Sequence, residues 1–325
     1  MSRRNVLVTG SSDPIGERLV RELLRDSRVG HVLAVSGLPP EHLPFPSDRR
    51  LTCIQVDLGR SRQVQRMLFG LARDVGIDVV AHTAVHRTPG EGGSPRAFQV
   101  NATRSLLDLC ERHPTIQRVA IRSAAQVYRV RRDLPVLMEE DHPINLAPGA
   151  QKWVQDRVEA DLTACTRMGM SNTQIVVLRM AEVLAPGTGS QLFDYLESPV
   201  CLLPLGFDPM LNVLTIEDAV DALARAIHSE VEGIINIPGA DTLPLTASIR
   251  RWGRVGIPLP ETLLDPLYWL RGLVTGHDFR YRQNRRRFHY SGVLDGARAR
   301  QLLGYVPKHP VTWPAWTAPT EAASG

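Results

Sequence analysis

The chain has 325 residues, 43% of them hydrophobic and 22% charged, with 25 Gly and 24 Pro. This ordinary globular composition excludes disordered, collagen-like and coiled-coil classes and leaves room for one large α/β unit or about two domains. The net charge is +4, no apolar run approaches the roughly 20 residues that span a bilayer, and Met1–Asn5 leads directly into a strand pattern, so a cytoplasmic protein is expected.

Asn5–Thr9 reads as a strand, followed by a Gly/Ser turn and a helix with Ile15, Leu19, Val20, Leu23 and Leu24 at helical spacing. Strands His31–Val35 and Leu51–Val56, a helix Ser61–Arg73, a strand Asp78–Thr83 and a helix Pro95–Arg112 come next. A strand Arg118–Arg122, a helix Ala150–Arg167 and a strand Gln174–Arg179 complete the regular half. Short apolar strands alternating with helices predict an α/β fold, a Rossmann-type doubly wound parallel sheet covered on both faces. After Ala185 frequent Pro and Gly break the pattern, although a helix Thr215–His228 and a strand Gly233–Ile237 still read as core. The predicted organisation is a nucleotide-binding domain over 1–184, rejoined by 213–237. A smaller irregular substrate lobe covers 185–212 and 238–310, and 311–325 is a tail.

The four cysteines, Cys53, Cys110, Cys165 and Cys201, lie far apart without CxxC spacing, as small buried residues do in a reducing compartment. No Asp, Glu or His spacing suggests a metal site. Of 38 basic residues only Lys152 and Lys308 are lysine, so chemistry that needs a lysine has two candidates.

The first strand ends in Thr9-Gly10-Ser11-Ser12-Asp13-Pro14-Ile15-Gly16. A Gly-rich turn between strand and helix aims backbone N–H groups at a pyrophosphate. Further along come Asp57-Leu58, His82-Thr83-Ala84, Asn101, Ser123–Tyr128 (SAAQVY), Leu178-Arg179 with Pro186-Gly187, Thr215–Ala219 and Asn236. With these the chain resembles the extended short-chain dehydrogenase/reductases of the NAD-dependent epimerase/dehydratase type over about residues 5–310. The resemblance implies NAD or NADP as cofactor. It implies contacts from Gly10, Ser12, Asp13, Ile15, Gly16, Ser36, Asp57, Leu58, Thr83, Ala84, Asn101 and Arg157. Val35-Ser36-Gly37 offers no carboxylate to the adenosine ribose, which leaves NAD and NADP both open; Arg49 and Arg50 are the candidates for a 2′-phosphate.

Three departures from the family's pattern stand out. Asp13 replaces the middle glycine of the turn and precedes Pro14, which reads as an N-cap and a first helical residue; a carboxylate there also repels phosphate, so the cofactor is expected to be held weakly or not at all. Aligned through Asp161, the family's Tyr and Lys fall on Trp153 and Arg157. An indole only donates and does not titrate in the working range. The serine that polarises a substrate carbonyl falls on Ala124, with Ser123 one residue away on the opposite side of the strand end. Ser123, His82, His86 and Tyr128 are the available substitutes.

Two functions stay open at this point. One is a catalytically impaired family member acting as a sensor or scaffold. The other is a divergent NAD(P)-dependent epimerase, dehydratase or reductase acting on a nucleotide-sugar or sterol-like substrate. The resemblance also implies a homodimer through helices 95–112 and 150–167, and a small-molecule ligand. Glu139–His142 reads as a solvated cluster. Leu263–Val274 puts Leu263, Leu267, Leu270 and Val274 along one helix face ahead of Arg280, Arg282, Arg285, Arg286 and Arg287. The favoured reading is a lobe helix packed on the core, ahead of membrane or lipid contact through 263–287. No nucleic-acid reader motif accompanies the arginines, so nucleic-acid binding is not expected.

Overall fold

The computed structural model describes residues 3–84, 96–147, 150, 152–275 and 279–315. The chain runs β1 (Arg4–Thr9), α1 (Pro14–Arg25), β2 (Val29–Ser36), β3 (Leu51–Gln55), α2 (Ser61–Met67), α3 (Arg73–Val75), β4 (Val79–His82) and α4 (Ala102–Cys110). It continues through β5 (Arg118–Ala124), β6 (Leu137–Met138), α5 (Lys152–Cys165), β7 (Gln174–Met180), β8 (Glu182–Val183), α6 (Gln191–Leu196), β9 (Val200–Pro204) and β10 (Met210–Leu214). The last part adds α7 (Ile216–His228), β11 (Gly233–Ile237), β12 (Asp241–Pro244), α8 (Leu245–Arg251), β13 (Val255–Leu259), α9 (Glu261–Thr275), α10 (Tyr281–His289), β14 (Val293–Leu294) and α11 (Ala297–Leu303).

Seven strands pair in the order β11-β7-β5-β4-β1-β2-β3, every neighbour parallel. Runs such as Val6-Leu7-Val8 and Val32-Leu33-Ala34 are fully buried because helices cover both faces. One face packs under α1 and α7, the other under α2 and α4. The strand order reverses between β1 and β4, which opens the ligand crevice at the carboxyl ends of the strands.

Two predicted helices differ in detail. Ser61–Arg73 is interrupted by a π-helical turn, Leu68–Ala72, where Gly70 adopts φ −104° and ψ −109°. The helix expected from Pro95 is described from Arg96 and begins with a π-helical turn, Ala97–Asn101, before α4. Its first residue and His86 lie outside the described residues.

The lobe is built on a three-stranded sheet, β12-β10-β8, with two small pairs, β13-β9 and β14-β6. All of β10 belongs to it, Val213 pairing with Glu182 and Asp241, so the chain rejoins the main sheet at α7, later than residue 213. The lobe core is aromatic: Tyr195 lies 5.1 Å from Phe279 and 4.9 Å from Phe288, ring centre to ring centre. The region expected as a tail starts as part of that core. Val311 and Trp313 are buried, and Trp313 meets Trp252 edge to face. Helix α9 packs through Leu264 and Tyr268, whereas Leu263, Leu267 and Leu270, the stripe expected to pack, face outward with Trp269 and Leu273. Among the described residues no helix is long and apolar enough to cross a membrane.

Candidate nucleotide and substrate clefts

The β1–α1 turn has the geometry that a nucleotide site demands. Gly10 adopts φ +68°, and a Cβ there would stand 2.7 Å from the Ala84 Cα; one on Gly16 would stand 2.1 Å from the Gly10 carbonyl oxygen. Only glycine fits either position. Gly16→Ala is expected to cost roughly 3 kcal/mol, read as a fall in the urea midpoint; an unchanged midpoint would mean the turn yields freely. Ile15 and Thr83 are fully buried and Ala84 nearly so, and the Thr83 hydroxyl donates to the Thr9 carbonyl at 2.6 Å. Ser12 is half-buried beside them. At the far end the Ser36 hydroxyl accepts from Leu38 N–H, and exposed Asp57 accepts from Gly59 N–H and pairs with Arg60 at 3.1 Å. Leu58 is buried next to it. Asn101 is exposed at the end of its π-helical turn.

Asp13 caps α1 through its backbone, φ −86° and ψ 151°, but its side chain bonds none of the helix's own amides. The expected N-cap and the proline at the start of the helix are thus in place. Its carboxylate acts on Arg122 of β5, whose guanidinium burial pulls down to about 10 and Asp13 partly restores. Arg122 Nη2 also donates to the Thr188 carbonyl at 3.0 Å. Gly187, next in the same loop, lies so close to Pro14 that a Cβ there would be 3.2 Å from the proline ring. The 187–188 loop thus closes a seam against the turn.

Beyond the seam, the first turns of α5 place Trp153 and Arg157 one turn apart on the face toward β5. The Arg157 guanidinium sits 4.1 Å from the centre of the Trp153 ring, a cation–π stack, and Nη1 donates to Gln126 Oε1 at 2.6 Å. Arg157 Nε and Trp153 Nε1 are buried without a hydrogen-bond partner among the described residues. Burial, reinforced by Arg122 and Arg287, holds Arg157 down to about 9 against the opposing pull of Glu182. A cleft of about 30 Å³ remains here, lined by Arg122, Gln126, Arg157, Glu182, Thr188 and Arg287 among others. It opens toward a chamber of about 290 Å³ between the two lobes, lined by Tyr128, Met138, Trp153, Leu211, Arg282 and Arg286 among others.

The three described candidates for proton transfer hold other partners. Ser123, which alternates away from Ala124 along β5, donates to Asp161 Oδ2. Asp161 is itself paired with Arg179 at 2.6 Å with both side chains buried. The Tyr128 hydroxyl donates to Asn236 Oδ1 at 2.7 Å, and burial raises its pKa. His82 lies between two hydroxyls, Nδ1 2.8 Å from Thr9 Oγ1 and Nε2 3.2 Å from Thr103 Oγ1. Thr103 gives its proton to the Gln99 carbonyl, which leaves Nε2 of His82 as the donor and Nδ1 as the acceptor. Burial pulls this histidine down to about 4, so it is neutral at pH 7. Trp153 occupies the tyrosine's position and does not titrate in the working range. Among the described residues no group of three His, Cys, Asp or Glu side chains is placed to hold a metal.

The model of the NAD dependent epimerase/dehydratase family matches residues 6–237. The chain belongs to that family. It is 28% identical over 311 residues to an uncharacterized protein of Mycobacterium tuberculosis, covering 93% of this chain and 80% of the relative. It is 26% identical over 319 residues to the 3-diazoavenalumate denitrifying reductase of a Streptomyces species, covering 94% and 96%. Among solved structures it resembles the dTDP-glucose 4,6-dehydratase of Bacillus anthracis in complex with NAD, with a TM-score of 0.68, 14% identity and coverage of 96% and 94%.

The family's dinucleotide fits one half of the cleft. The Gly10–Gly16 turn and the carboxyl ends of β2 and β3 are where an adenosine group would be held. Pro14, however, has no N–H to offer a phosphate, and Asp13 already brings a negative charge to that point. At the other end the 30 Å³ between Arg122, Gln126 and Arg157 is the room of a few atoms, one water needing about 10–15 Å³. Arg122, Gln126 and Arg157 are the groups that the nicotinamide end would meet there.

Proposed function

We propose that this family member has given up the acid–base chemistry of the Tyr/Lys type and kept its ligand clefts, working as a small-molecule sensor or scaffold that holds NAD or NADP weakly. The observation that carries the reading is the Trp153–Arg157 stack standing where a proton donor and its lysine belong. Thermal unfolding with NAD⁺, NADH, NADP⁺ and NADPH tests it: a ligand at ~100 times its dissociation constant adds about 2.7 kcal/mol, and at about 1 mM each dinucleotide is expected to give far less. In parallel, wild-type protein should oxidise neither reduced cofactor with nucleotide-sugar substrates. Turnover that disappears in Trp153→Phe would overturn the proposal. The reversal Ala124→Ser with Trp153→Tyr and Arg157→Lys should generate oxidoreductase activity only in so far as it also restores dinucleotide binding.

The name of the Streptomyces relative favours a second reading, a divergent reductase. A reduction that expels nitrogen leaves no alkoxide to protonate, so it does not require the missing tyrosine. Oxidation of NADPH by this protein in the presence of benzenediazonium, at a rate above the uncatalysed one, would decide for it.

A further inference from the structure

The 30 Å³ cleft is unusual in its charge. Three guanidiniums, those of Arg122, Arg157 and Arg287, line it together with one carboxylate, Glu182. That carboxylate is already committed: Oε2 pairs with Arg287, and Oε1 accepts from Ser190 Oγ at 2.9 Å and Leu192 N–H at 2.7 Å. Arg157 therefore has a neutral amide, Gln126, as its hydrogen-bond acceptor and keeps a buried Nε with no partner among the described residues. Burying a guanidinium beside another cation without a carboxylate acceptor is costly, and an unsatisfied buried donor adds to that cost. The neighbouring chamber continues the same sign, with Arg282 and Arg286 on its wall.

We propose that this corner is an oxyanion site, in which Arg122 and Arg157 hold the carboxylate or phosphate of a small molecule whose body fills the adjoining chamber. A planar guanidinium matches either group through paired N–H donors. The cleft has room for such a headgroup, and the 290 Å³ chamber, with Tyr128, Met138, Trp153 and Leu211 on its wall beside Arg282 and Arg286, suits a body that has both an apolar or aromatic face and polar groups. An anion placed there supplies the acceptor that Arg157 Nε lacks and lowers the repulsion between the arginines. The site needs neither a dinucleotide nor turnover, so it stands or falls separately from the function proposed above.

Two probes, inorganic phosphate and benzoate, distinguish the sources of the anion by calorimetric titration of the full chain in ~150 mM sodium chloride, where unspecific surface attraction is largely screened. At least one is expected to bind saturably below about 50 mM; benzoate alone assigns a carboxylate ligand, and phosphate alone a phosphate ester. Arg157→Met should weaken the bound probe by about tenfold or more, while Arg66→Met, on the exposed face of α2, should leave it unchanged. Gln126→Glu guards against loss of folding, because it puts a carboxylate in contact with the Arg157 donor. That variant should unfold at a higher temperature and bind neither probe. Failure of both probes to bind wild-type protein, or binding that persists unchanged in Arg157→Met and Gln126→Glu, would overturn the site.

Discussion

Asp161→Ala should destabilise the protein by about 3–5 kcal/mol, the cost of leaving one charge of a buried pair alone. Asp161 and Arg179 are 0% and 2% exposed and bond through two nitrogens, Nε at 3.1 Å and Nη2 at 2.6 Å. The same carboxylate accepts from Ser123 Oγ and Cys165 Sγ. Its removal orphans a guanidinium, a hydroxyl and a thiol across β5, α5 and β7. Urea denaturation followed by circular dichroism would read the loss as a lower midpoint at constant slope. The double replacement Asp161→Leu with Arg179→Met should recover most of it, because an apolar pair of similar volume leaves no charge to solvate. If the single variant loses less than about 1 kcal/mol, the pair is open to water, contrary to the packing described.

A second large effect is expected in acid. His82 titrates near 6.5 in an unfolded chain and at about 4 in the folded one. Between those values the unfolded state binds the proton and the folded state refuses it, so stability rises with pH across the window. The full contribution is present above pH 6.5 and is lost as pH falls to 4. At 1.36 kcal/mol per unit the shift amounts to about 3 kcal/mol. His82→Asn should be less stable at pH 7.5, because the Thr9–His82–Thr103 chain is broken. It should nevertheless lose about 2–3 kcal/mol less than wild type between pH 7.5 and 4.5. Equal losses in the two proteins would show that the folded histidine takes up its proton freely.

Much of the main domain was legible because its signals are local. Five-residue apolar strands, the Gly10–Gly16 turn and the Ile15–Leu24 stripe each declare themselves within about 12 residues. Counting back from Val127 also separated Ala124 from Ser123, and strand alternation sends the latter to Asp161. The same alternation puts Arg122 on the side of Ala124, a signal the sequence holds. Other features depend on distant partners. Gln126 meets Arg157 across 31 residues and Glu182 meets Arg287 across 105. The aromatic core of the lobe draws together Tyr195, Tyr268, Phe279 and Phe288 from three separate helices and a loop. Asp13 was legible in part. Its backbone is that of an ordinary cap, while its side chain answers to a charge more than 100 residues along the chain.

The close approach of Gly187 to Pro14 and the bond from Arg122 to Thr188 join the two banks of the crevice. Any molecule that must lie along the Gly10–Gly16 turn and reach β5 has to part that seam first. If closure is favoured by about 2 kcal/mol, the apparent affinity of such a molecule falls about thirtyfold without the loss of any contact it would make once inside. Its arrival rate then levels off with concentration at the rate of opening. A compact anion entering from the chamber side would have no such seam to part, so on the proposed site short ligands should arrive faster than long ones.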